Sequence, residues 1–96
     1  MDAKGIVYTF SAKVWYSEWY FVSLPQDVAG EIREKFQFLE EGWGRLKAVA
    51  NIGASEWKTA IWFDTKRQTY LLPLKKEIRT KEKIGIDCDV TVTLRI

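Results

Sequence analysis

The chain has no histidine and a single cysteine, Cys88. Without an imidazole there is no Ser-His-Asp or Cys-His catalytic set, no His-ligated zinc and no imidazole pH switch. One cysteine cannot close an intrachain disulfide. Proline occurs only at Pro25 and Pro73. A large excess of one sign of charge is also missing. Fifteen Lys and Arg face 13 Asp and Glu, a net of +2, which demands no polyanionic partner but leaves room for a local patch. No apolar run approaches the roughly 18 residues that span a bilayer, and no basic-then-apolar leader opens the chain. No membrane association and a cytoplasmic location are therefore expected.

What is present points to one folded unit. Ninety-six residues make one domain, 1–96. The composition is 47% hydrophobic and 29% charged, ordinary for a globular protein. Five Trp, four Tyr and five Phe give the strands bulky side chains to pack.

Residues 1–4 are a polar start. Over 5–15 the pattern alternates, with Ile6, Tyr8, Phe10, Ala12 and Val14 on one face. A period of two predicts a half-buried strand. Tyr16-Ser17-Glu18 predicts a turn, and 19–24 a second strand. Pro25 ends that strand and suits a first helical turn. Val28, Ile32, Phe36 and Leu39 then share one helical face. Gly42-Trp43-Gly44 breaks the pattern. A third strand is expected over 45–52, with Leu46, Ala48, Ala50 and Ile52 inward. Gly53-Ala54-Ser55 turns into a fourth strand over 57–63, where Trp57, Thr59, Ile61 and Phe63 oppose Lys58, Ala60 and Trp62. After a charged tip at 64–68 come a short strand over 69–72, Pro73, a basic helix carrying Leu74 and Ile78 and stopped by Gly85, and a last strand over 87–96.

Leu24-Pro25 and Leu72-Pro73 are 48 positions apart, and Ile32-Arg33 is echoed by Ile78-Arg79. The pattern predicts a mainly β protein. About six strands and two short helices would close into a barrel, with a pseudo-twofold repeat of strand, Leu-Pro, helix and strand. Closure removes the exposed edges that such apolar strands otherwise present.

Several segments together carry a family likeness. They are Phe10-Ser11-Ala12, Leu24-Pro25, Asn51-Ile52-Gly53, Glu56-Trp57-Lys58-Thr59, Tyr70-Leu71-Leu72-Pro73-Leu74-Lys75-Lys76 with Arg79, and Asp89-Val90-Thr91-Val92-Thr93-Leu94. Over nearly its whole length the chain resembles the prokaryotic domain-of-unknown-function family numbered 1905. That resemblance implies a compact β-barrel with two helices and brings no activity. Relatives usually carry Gly-Asp before the last strand, where this chain has Cys88-Asp89. A looser, fold-level likeness is to the swapped-hairpin barrels of transcription regulators.

One candidate site stands out. Arg45, Lys47 and Asn51 on the third strand, with Trp57, Lys58 and Trp62 on the fourth, interleave amines with aromatics. Such a face suits a small anionic or sugar-like ligand. The alternative is that Trp57 fills the core and the lysines are solvated. Arg79, with Lys75 and Lys76, is a second place for an anion, or a solvated basic helix. Trp15, Tyr16, Trp19 and Tyr20 form a stacking platform or pack across their hairpin. Asp87 and Asp89 supply too few oxygens for a metal site, so no metal and no cofactor are expected. No nucleophile or acid–base pair can be assembled, so the expected function is a non-enzymatic binding module. A homodimerisation or fused-partner interaction domain is the alternative, and a nucleic-acid-binding barrel is less favoured.

Overall fold

A computed structural model of the chain describes residues 5–42 and 44–96. The polar start at 1–4 and Trp43 of the Gly-Trp-Gly break lie outside the described residues. The elements are β1 (Val7–Tyr16), β2 (Tyr20–Ser23), α1 (Gln26–Phe36), a 3-10 turn (Gln37–Leu39), β3 (Arg45–Ile52), β4 (Ser55–Asp64), β5 (Thr69–Pro73), α2 (Lys76–Glu82) and β6 (Asp89–Arg95). All neighbouring strands run antiparallel and close in the order β1-β2-β5-β4-β3-β6. The expected mainly β barrel of six strands and two helices is what forms.

Alternation makes the core. Phe10, Val14, Leu46, Ala50, Trp57, Ile61, Leu72, Val92 and Leu94 turn inward and form one buried cluster. Ala48 and Ala50 are small because they face crowded positions. Ala50 pairs with Trp57, whose indole is 7% exposed. A large residue against a small one fills space without a void.

The helices plug the two barrel ends. β2 and β5 are antiparallel neighbours, and each leads into a helix. Antiparallel strands leave at opposite ends, so α1 covers one mouth and α2 the other. Ala29 and Ile32 of α1, and Ile78 of α2, complete the core. At the α1 end Tyr70 is fully buried and donates its hydroxyl to Glu40, which also lies 3.7 Å from Arg33. Burial first, and then the Glu40 carboxylate, push the Tyr70 phenol well above its ordinary range.

The strand order is unchanged when β1, β2 and β3 are exchanged with β4, β5 and β6. The matching residues are not those the dipeptides suggest. Leu24 N–H donates to Tyr70 O at 3.0 Å, and Leu74 N–H donates to Tyr20 O at 2.9 Å. These reciprocal bonds relate Tyr20 to Tyr70 and Leu24 to Leu74, an offset of 50 rather than 48. The two prolines consequently sit in different settings. Pro25 is the residue before α1, with φ −58 and ψ 149, whereas Pro73 is the last residue of β5 and faces Phe21. The counterpart of Pro25 is Lys75, the residue before α2.

Other expectations shift at element ends. Leu39 leaves the helical stripe, because the 3-10 turn rotates it outward to 51% exposure. Ile6 lies before β1 and is exposed, although it exchanges two backbone bonds with Ile96. α2 ends at Glu82 and is capped by Lys83, not stopped by Gly85. Lys83 takes a left-handed conformation (φ 57), and the following Ile84 N–H reaches Arg79 O. Asp87 also adopts positive φ (68) and belongs to the turn before β6.

Candidate ligand-binding face

β3 and β4 pair along eight positions, so their outward side chains fall into rows. Arg45 faces Trp62, Lys47 faces Ala60, and Val49 faces Lys58. The flanking strands extend the rows. β6 sets Arg95 beside Val49, and β5 sets Leu71 beside Trp62. A groove of about 790 Å³ runs over this surface, lined by Arg45, Lys47, Lys58, Trp62, Pro73 and Arg95. Ala60 forms its floor and is 5% exposed although it points outward.

The charge here is one-sided. Glu41 engages Arg45 at 2.9 Å and Lys47 at 3.8 Å. Among the described residues, no carboxylate lies within ion-pairing distance of Lys58. Trp62 is 41% exposed, with the Arg45 guanidinium 5.9 Å from its ring.

The first half of the chain offers an internal control. Phe21 and Leu71 are related by the offset of 50. Trp15 faces Phe21 and Trp62 faces Leu71, so the two tryptophans occupy matching ladder positions. Trp15 is fully engaged. Its indole N–H donates to Ser23 at 2.9 Å, Phe21 packs on its ring, and Arg67 stacks at 4.4 Å. The match for Ser23 is Pro73, which has no hydroxyl to accept from Trp62. Two residues upstream, Lys13 faces Asp89 and pairs with it at 3.3 Å. The corresponding pair in the second half is Ala60 and Lys47. Next, Ser11 and Thr91 share a hydroxyl bond at 3.0 Å, where the second half has Lys58 and Val49. One half closes its outer face with its own partners. The other leaves amines and an indole.

Four of the seven residues singled out in the sequence therefore come together: Arg45, Lys47, Lys58 and Trp62. Three do not. Trp57 points inward, as the alternation with Ile61 requires. Asn51 is outward but donates to Ser55 O, which ties the β3–β4 turn. Arg79 does not line the groove. It donates to Leu74 O at 3.0 Å and lies 3.8 Å over Tyr20 and 5.2 Å from Trp19. Lys75 nearby is 3.8 Å from Glu77. Arg95 and Pro73 escaped sequence reasoning. Arg95 reaches the groove through the β3–β6 pairing, which joins distant segments, and Pro73 reaches it as the far end of the β4–β5 hairpin.

Of the remaining candidates, Trp19 and Tyr16 stay 41% and 52% exposed. Tyr16 packs edge-on against Tyr20 at 4.9 Å, and Asp89 is held by Lys13. Among the described residues, no three His, Cys, Asp or Glu side chains gather as a metal site, and no helix is long and apolar enough to cross a membrane.

Fold and face together define a small closed β-barrel, plugged by a helix at each end, with a basic and aromatic outer surface on β3 and β4. The chain belongs to the family DUF1905, a domain of unknown function, which matches residues 10–94. Arg45, Lys47, Lys58 and Trp62 lie within the matched span, and Arg95 just beyond it. A search of curated proteins gives no match.

Proposed function

We propose that this barrel is a binding module that takes an anionic ligand with a flat face on the outer surface of β3 and β4. The observation that carries the reading is the contrast at matching ladder positions. Lys13 has Asp89 and Trp15 has Ser23, whereas Trp62 stands at a proline-edged groove and Lys58, among the described residues, has no carboxylate within ion-pairing distance. An exposed indole offers a stacking surface, and amines beside it offer charge-assisted hydrogen bonds. Among the described residues that line the groove there is no Cys, Ser, Asp or Glu side chain, which favours binding over catalysis. The test is a panel of planar carboxylates, sulfonates and phosphates titrated into the ¹⁵N-labelled chain. Resonance shifts are expected at Trp62, Lys47 and Lys58, with Trp15 and Lys13 still. Shifts centred on Trp15, or none anywhere, would sink the reading.

A second use is favoured by a separate observation. Phe38 is 81% exposed on the 3-10 turn, beside Leu39. An apolar projection of this kind suits a protein contact. Size-exclusion elution that shifts with concentration, and stops shifting in Phe38→Ser, is the expected result. Elution independent of concentration in the parent chain removes this use.

A further inference from the structure

Resting on the groove as the binding face, the geometry points to a specific ligand class: a nucleoside di- or triphosphate, with its base on Trp62 and its phosphates toward Lys58 and Arg95. The spacing of the rows carries this. Trp62, Ala60 and Lys58 are successive outward positions of β4. Outward residues two apart on a strand are about 6.7 Å apart, so Trp62 and Lys58 stand about 13 Å from each other. Lys58, Val49 and Arg95 lie on three adjacent strands in one row, which spans about 10 Å. Lys47 lies midway along the groove, opposite Ala60.

A single small anion cannot touch the ring and the far cations together. A free sugar or planar ring leaves the cations unused. A base, a ribose and two or three phosphates in line cover the whole distance. Ala60 fits the middle of that ligand. Its methyl keeps the floor low where the ribose would lie, at the place where the first half fills the surface with Lys13 and Asp89. Among the described residues, one aromatic ring lines the groove. Proteins that track single-stranded nucleic acid stack successive bases on several rings, so one ring favours one base.

The experiment is calorimetry on the full chain with ADP, GDP, UDP, adenosine, inorganic pyrophosphate and a short oligothymidylate. At least one nucleoside diphosphate is expected to bind 10-fold or more tightly than both adenosine and pyrophosphate. Trp62→Ala should drop that nucleotide to the level of pyrophosphate, and Lys58→Gln to the level of adenosine. Both positions are exposed, and far-UV circular dichroism confirms that the variants fold. If pyrophosphate binds as tightly as the best nucleotide, and Lys58→Gln abolishes it, the nucleotide assignment is overturned while the anion-binding face stands. If the oligothymidylate binds more tightly than any nucleotide, the single-base assignment is likewise overturned. If no probe binds, or binding survives both substitutions, the assignment and the binding face fall together.

Discussion

Trp15 and Trp62 hold the same place in the two halves of one barrel and keep different company. Trp15 has an acceptor, a ring and a guanidinium against it. Trp62 is 41% exposed, with the Arg45 guanidinium 5.9 Å from its ring. The backbone ladders that place them are alike, so the fold does not dictate the difference. Side chains do: serine against proline at 23 and 73, aspartate against lysine at 89 and 47. A barrel built from two like halves needs both faces only as a wall. When one half satisfies its outer face and the other does not, the unsatisfied half is where a ligand would gain most.

The largest expected contrast is in the core. Tyr70 and Tyr20 are related by the same offset, yet Tyr70 is fully buried while Tyr20 is half-buried under Arg79. Tyr70→Ala should lower unfolding free energy by about 3–5 kcal/mol, as large aromatic truncations in cores do. Tyr20→Ala should cost about 1–2 kcal/mol. Urea unfolding measures both, and equal losses would mean the two ends are packed alike. Alkaline pH sharpens the point. The folded phenol of Tyr70 is raised, so the unfolded chain ionises first. Stability is intact below about pH 10, the ordinary tyrosine value, and falls as pH rises beyond it. Tyr8 is raised too, by burial first, so Tyr70→Phe should lessen the alkaline loss without abolishing it.

The outer tryptophans give the next contrast. Trp15→Ala removes a hydrogen bond and two ring contacts and should cost about 1–2 kcal/mol. Trp62→Ala removes an exposed ring and should stay within about 0.5 kcal/mol of the parent. Similar costs for the two would show that Trp62 is structural after all, and would weaken the binding face.

Much of this was legible in the chain. Period-two alternation gave the inward and outward sets of β1, β3, β4 and β6, and it already separated Trp57 from Trp62 by one face. Grouping both as ligand residues ran against that alternation, and the structure follows the alternation. The offset was harder to read. A repeated Leu-Pro pair is conspicuous, but proline is tolerated both before a helix and at a strand edge, so the same dipeptide serves two roles. The true match, Leu24 with Leu74, pairs leucines followed by different residues. Arg95 was invisible for another reason. Its nearness to Val49 depends on a pairing between strands far apart in sequence, and no local pattern encodes that.

The smallest effect tests whether the halves correspond in shape as well as in strand order. Pro73→Ser puts at the edge of the second groove the residue that accepts from Trp15 in the first. A new hydrogen bond contributes about 0.5–1.5 kcal/mol, while losing proline frees the unfolded chain by about 0.4–1 kcal/mol. The two nearly cancel, so stability is the wrong readout. The Trp62 indole proton is the right one. It should move downfield and exchange more slowly with solvent, and nucleotide binding should weaken as the indole is drawn toward β5. An indole proton that stays unchanged in this variant would limit the correspondence to the order of the strands. Trp62 would then be open because the groove is wider than its counterpart, and a serine at 73 would have nothing to reach.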